Sequence, residues 1–302
     1  MVSIKKGKHI KLDKYNLFDY FNIVFFIVLC FIMLYPFWNV LMTSLVSQGE
    51  YLKRTFILWP QNMQFDSYRY IFASDRLPRS FVVTIFVTVA GTLYSTLMTL
   101  AVSYALTKKP LPGYKLFIAL IMIPMFFGGG LIPYYLLIQN LGLMNSIWVT
   151  IIPGGIGVWN FLVFKSFIGQ IPDGLEEAAV IDGANEIYIF FRIIIPLSLP
   201  SIAAICLFTA VGRWNDYMTS MLYLARRPDL HTLQLILRKL IVENQRMGDM
   251  ETEYRKMFGD VVVFEDGIKM AAVVVVTAPI LFVYPFLQKY FVKGVYLGSV
   301  KG

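Results

Sequence analysis

An all-α, polytopic membrane fold with about six transmembrane helices is the class this sequence predicts, and three observations carry it. The 302 residues are 57% hydrophobic and only 15% charged, with a mean hydropathy of +0.63. Soluble domains average about 25% charged residues, so much of this surface must face something other than water. Apolar runs also recur at lengths near the roughly 20 residues that cross a hydrocarbon core about 30 Å thick. Finally, backbone in lipid must satisfy its own hydrogen bonds, which leaves helices or closed barrels. No segment alternates apolar and polar positions as a barrel strand does.

The first apolar run covers about 21–45 and contains Pro36. Its Lys-rich approach has the outline of a signal peptide, but the run is too long for that and lacks a small-residue cleavage site, so a retained span is expected. The second run covers about 81–106, the third 116–138 and the fourth 147–168. The fifth covers 199–224 and the sixth 270–291. Gly128, Gly129 and Gly130, followed by Pro133, interrupt the third; such residues loosen a membrane helix or let helices pack closely. One membrane domain over 1–302 is the economical organisation, with a tail at about 1–20 and no internal repeat. Two polar segments, 169–200 and about 225–267, are too long to be simple turns.

Basic residues set the expected orientation. Lys5, Lys6, Lys8, Lys11 and Lys14 precede the first span, Lys108, Lys109 and Lys115 crowd the second connection, and Lys289, Lys293 and Lys301 follow the sixth. Alternation puts all three groups, and both termini, in the cytoplasm. The net charge of +8 is therefore dispersed between spans, which fits membrane lipid as a partner and excludes nucleic acid. Cys30 and Cys206 lie in apolar runs and read as small buried hydrophobes; His9 and His231 are isolated. No metal site or catalytic set follows from that inventory, so the chain is not expected to be an enzyme.

The 169–200 segment reads as a short helix-turn-helix. Asp173 is placed to cap a first helix with Glu176 three residues on. Gly183 is placed to end it, Asn185 to cap a second, and Pro196 to interrupt that one. Ala178 and Ala179 would allow another backbone to come close. The product is a polar elbow outside the membrane.

Glu177-Ala178-Ala179, then Gly183, Ile193 and Pro196, resemble the coupling motif of permease subunits in bacterial ABC importers: EAA, three residues, G, nine residues, I-x-L-P. Ile195 replaces the usual Leu, a volume-conserving change. The motif sits between the fourth and fifth runs, as in the maltose-permease-like carbohydrate branch. The likeness extends through GGGLIPYYLLIQNLGLMNSIW and GRWNDY to cover about 80–295. It implies a non-catalytic subunit in the bacterial inner membrane that forms half of a pathway for a carbohydrate, an oligosaccharide above all. The implied partners are a second homologous permease, a dimer of ATP-binding subunits carrying ATP and Mg, and an extracellular solute-binding protein. By the same resemblance Glu177, Ala178, Ala179, Asp182, Gly183 and Pro196 would meet the ATPase, with Glu177 paired to a base. The 225–267 loop would reach the binding protein, so deleting about 244–256 is expected to weaken stimulation of ATP hydrolysis. The chain has no phosphate-binding loop of the G-x-x-x-x-G-K-[S/T] type.

Charges inside a membrane are costly and mark a structural or functional need. Arg213 and Asp216 are three apart in the fifth run and can share a helical face. They form a self-satisfied pair, or line a pathway in which Trp214 and Tyr217 stack on sugar beside Asn215. Asn160 in the fourth run is a further lining candidate. The competing class is an ion-coupled secondary transporter. It would show ionisable residues in several spans, whereas intramembrane charge here is largely confined to Arg213 and Asp216.

Overall fold

The computed structural model describes residues 16–299 except 55, 74–75, 109–110 and 243–263, with side chains of residues 284–299 left aside. Among the described residues the chain is helical, with turns and no strand. The first apolar run forms α1 (Leu17–Thr43), followed by two short helices, α2 (Gln48–Lys53) and α3 (Asp66–Ala73). The second forms α4 (Arg76–Lys108), a 33-residue rod. Helix α4 packs on α7 (Val158–Ile168) and α11 (Leu199–Trp214). The last long helix, α14 (Glu265–Ser299), packs on α11, α1, α3 and α13 (Leu233–Val242).

A stripe of small hydroxyl residues explains why α4 is central. Ser80, Thr84, Thr92, Ser95, Thr96, Thr99 and Ser103 recur at helical spacing and are all buried. Small side chains let backbones approach where no hydrophobic force separates helix from lipid. The hydroxyls also serve the neighbours: Thr99 donates to Gly155 O at 3.3 Å, and Ser103 to Phe161 O at 3.3 Å.

Among the described residues, three helices are long and apolar enough to cross a bilayer unbroken: α1, α4 and the Glu265–Val283 part of α14. The third, fourth and fifth runs are broken. The third stops at Phe126 (α5, Tyr114–Phe126) and restarts at Leu131 (α6, Leu131–Asn140), across the glycines singled out in the sequence. In the fourth, 147–157 was expected to be helical and is a 3₁₀ turn (Ile147–Thr150) followed by irregular chain. Pro153, Gly154, Gly155 and Gly157 are poor helix formers, and other spans supply the hydrogen bonds their backbone lacks. The fifth breaks at 215–217, between α11 and α12 (Met218–Tyr223).

Other expectations are corrected in detail. Cys30 is exposed on α1, while Cys206 is half-buried with its sulfur 3.4 Å from Thr96 Oγ1. His231 is buried, with Nε2 3.2 Å from Leu224 O. The 225–267 segment is not a simple solvated loop: its first part folds as α13, whose Leu233, Leu235, Ile236 and Leu240 are buried. The 244–256 stretch lies outside the described residues.

Candidate functional site

The elbow begins with α8 (Asp173–Ile181). Gly183, at φ +83°, ends it. Ala184 N–H donates to Ala179 O at 2.9 Å and Gly183 N–H to Val180 O at 3.0 Å, the bonding pattern of a Schellman cap. No atom lies within 4 Å of where a Gly183 Cβ would stand. Backbone conformation, rather than close packing, is what requires glycine there. Asn185 Oδ1 accepts Tyr188 N–H at 2.8 Å and caps the second helix, as expected.

Two details of the elbow differ from the sequence reading. Pro172 occupies the cap position, so Asp173 opens the helix and makes no capping box with Glu176. Both carboxylates turn to Lys108 instead. Pro196 does not stop the second helix either. The chain continues from α9 (Glu186–Ile189) through a π-helical turn (Phe190–Ile194) into α10 (Ile195–Leu197). The 80° bend comes between Leu197 and Leu199. Pro200 sets it, because proline has no N–H for the carbonyl of residue 196 and its ring presses on that turn.

Side chains on the elbow divide sharply. Glu177, Ala178, Asp182 and Gly183 are exposed, and Glu177 makes no ion pair among the described residues. Leu175, Val180, Ile181, Ile187 and Tyr188 are exposed too, at 45–85%. On the inner side Ala179 packs against a core of Leu100, Tyr104, Phe164, Ile168, Ile171, Ile189, Ile194 and Ile205. One sector is thus welded to the bundle, while the other leaves an apolar ridge beside a free carboxylate.

The second region is a cavity of about 420 Å³ inside the bundle. Among the six pathway candidates, Asn160, Arg213 and Asp216 line it, together with Tyr134, Thr209 and Tyr223. Asn160 Nδ2 donates to Thr209 Oγ1 at 3.2 Å. Arg213 does not bridge to Asp216. Its guanidinium donates to Thr150 O and, at 3.4 Å, to Gly154 O, carbonyls of the irregular stretch that no helix satisfies. Glycine makes room for it: a Cβ at Gly91 would meet the guanidinium at 2.5 Å. Asp216 accepts Thr219 N–H at 3.1 Å and steadies the start of α12.

The remaining three candidates face elsewhere. Trp214 is buried against Phe81, with Nε1 donating to Val276 O at 3.2 Å. Asn215 accepts from Gln234 Nε2 at 2.9 Å, and the Arg238 guanidinium lies 4.5 Å from the Tyr217 ring centre. Asn215 and Tyr217 therefore hold α13. Aromatic lining comes instead from Tyr134 and Tyr223, whose rings lie 6.3 Å apart, with Tyr135 stacked on Tyr223 at 5.8 Å. The sequence signal for them was the Tyr134-Tyr135 pair after the glycines; Tyr223 had none.

Helices broken around a polar cavity, beside an elbow that presents an apolar ridge, define a membrane transport subunit. A family model described as "binding-protein-dependent transport system inner membrane component" matches residues 15–296, and the chain belongs to that family. It is 42% identical over 96% of its length to all of the "Polygalacturonan/rhamnogalacturonan transport system permease protein YtcP" of Bacillus subtilis (strain 168). It is 39% identical to "Protein LplC" of the same organism, over 95% of this chain and 96% of that one. Among solved structures it is similar to a chain of "a bacterial ABC transporter involved in the import of the acidic polysaccharide alginate", with a TM-score of 0.85 and 28% identity over 92% of this chain and 99% of that one. Membership sets aside the ion-coupled secondary transporter.

Proposed function

We propose that this chain is the non-catalytic permease half of an ATP-driven importer for a carbohydrate, an oligosaccharide or polysaccharide fragment. In this reading a second homologous permease completes the pathway, a dimer of ATP-binding subunits holding ATP and Mg drives it, and an extracellular binding protein delivers the sugar. The elbow faces the cytoplasm with both termini, and Glu177, Ala178, Asp182, Gly183 and Pro196 form the part of it nearest the ATPase, while Ala179 seats that part on the bundle.

One observation carries the coupling role: the elbow offers a Glu177 with no ion pair among the described residues, beside an uncovered apolar ridge, the pairing of charge and burial that a docked partner would complete. The carbohydrate reading is supported by the relatives' named cargo, polygalacturonan, rhamnogalacturonan and, for a 32% identical relative, galactooligosaccharides. The cavity's composition agrees with it, since tyrosines beside hydroxyl and amide groups suit a sugar's C–H face and hydroxyl edges.

Purification from native membranes in mild detergent tests the assembly. A second permease and an ATPase should accompany the chain; a preparation reproducibly free of ATPase refutes the reading. Glu177→Lys should leave the protein in the membrane and abolish most sugar uptake, and normal uptake would refute the contact.

A further inference from the structure

The second span and the elbow meet at a group of side chains that neither the motif nor the cavity uses. Lys108 is the last residue of α4, yet its side chain is only 5% exposed. Its ammonium donates to Ile171 O at 2.6 Å and to Asp173 Oδ1 at 2.6 Å, and lies 3.5 Å from Glu176 Oε1. One turn earlier, the Tyr104 hydroxyl lies 3.2 Å from Glu186 Oε2 and 3.5 Å from Glu176 Oε2. Asp173 and Glu176 belong to α8, and Glu186 to the helix after the turn. Both arms of the elbow are therefore tied to one end of α4.

We propose that Lys108, with Tyr104, is the positioning residue that locks the elbow to α4, so that elbow and span move as one lever. This rests on the coupling reading given above. A covered ammonium must keep its partners, because a charge left without them is strongly destabilised. The clamp is short-range and directional, and it closes over the apolar core that Leu100 and Tyr104 of α4 share with Ile189 and Ile194. A docked elbow alone could swing about residues 169–172. A clamped elbow passes its displacement to α4, which runs from this corner past Ser95 on the cavity wall.

The test uses the purified complex with its ATPase. Spin labels at Leu111 and Arg192, both exposed, outside the ATPase-facing residues and on opposite sides of the clamp, should report one narrow distance with or without ATP in the otherwise native chain. Lys108→Met should broaden that distance and make it ATP-dependent, while Lys108→Arg preserves it. Uptake of short polygalacturonan fragments into proteoliposomes should fall at least tenfold in Lys108→Met, with the ATPase still bound and hydrolysis within about twofold. A Lys108→Met complex with an unchanged distance and unchanged uptake overturns the proposal. Should that variant not accumulate, Glu176→Gln, which keeps the volume and leaves Asp173 in place, serves instead. It should broaden the distance and lower uptake several-fold; no change in either overturns the clamp. Glu177→Lys separates the two readings. If it transports normally, the coupling contact itself is wrong; if it uncouples while Lys108→Met behaves as wild type, only the clamp is wrong.

Discussion

Two short amphipathic helices of like average hydrophobicity, α8 in the elbow and α13 at the other end of the bundle, are put to opposite uses. Helix α13 buries Leu233, Leu235, Ile236 and Leu240 against its own chain, where Thr84 of α4 accepts Leu233 N–H at 2.8 Å. Helix α8 has no buried residue and turns Leu175, Val180 and Ile181 outward. Twenty residues of α4 separate Thr84 from Tyr104, about 30 Å at 1.5 Å per residue, which is about the thickness of a hydrocarbon core. The two helices therefore pack against α4 about one hydrocarbon thickness apart. The difference between them is a division of labour: α13 is finished within this chain, and α8 leaves its apolar side uncovered.

The sharpest way to break that comparison is to place the same charge on each helix. Leu235→Asp should cost several kcal/mol, at least about 3, because an unpaired carboxylate would be buried, and should be visible as lost accumulation and a lower melting temperature. Ile181→Asp should leave stability within about 0.5 kcal/mol and yet release the ATPase on purification. Equal melting temperatures for the two variants would end the distinction. A smaller effect is expected at the elbow's turn. Gly183→Ala places a Cβ in the left-handed region at a cost of about 1–2 kcal/mol, felt as faster amide exchange through residues 178–184 and little change in global melting.

The smallest effect lies beside α13. Hydrogen bonds from Arg227, at 2.8 and 2.9 Å, hold the Asp229 carboxyl below the usual carboxylate range against the opposing effect of desolvation. A depressed folded-state pKa adds stability that is present above the unfolded value, about 3.9, and is lost as pH falls through the folded one. Asp229→Asn should therefore lower melting slightly and evenly from pH 5 to pH 8, and the difference should close in strong acid and shrink in high salt. A difference that instead opened between pH 6 and 8 would mean another group governs this corner.

The elbow's existence, its glycine turn and the Asn185 cap were legible because each depends on a few adjacent residues. The glycine break in the third span was legible for the same reason. Long-range partnerships were not. Arg213 and Asp216 suggested a local pair by spacing alone, but Arg213 instead answers Thr150 and Gly154, about sixty positions away. Lys108 looked like an ordinary membrane-flanking base, since nothing nearby in the sequence announces that residues 171–176 will fold back over it. Trp214 looked like a sugar platform because aromatic residues beside polar ones suit both a binding site and a helix interface. Which face of α11 meets α14 decides between them, and periodicity within α11 does not contain that. The 147–157 stretch has the hydropathy of a span, and only Pro153, Gly154, Gly155 and Gly157 mark in the sequence that it is not an α-helix.

The guanidinium that spans Thr150 and Gly154 also bears on how the protein comes to be made. When the fourth apolar run leaves the ribosome, its irregular half exposes carbonyls that nothing yet synthesised satisfies. Their donor lies 59–63 residues downstream, which at about 5–20 residues per second is a delay of roughly 3–13 s. Lipid offers no hydrogen bond in the interval. A fourth run placed in lipid alone would leave these carbonyls without a donor, so its irregular half is stable there only in company with the fifth.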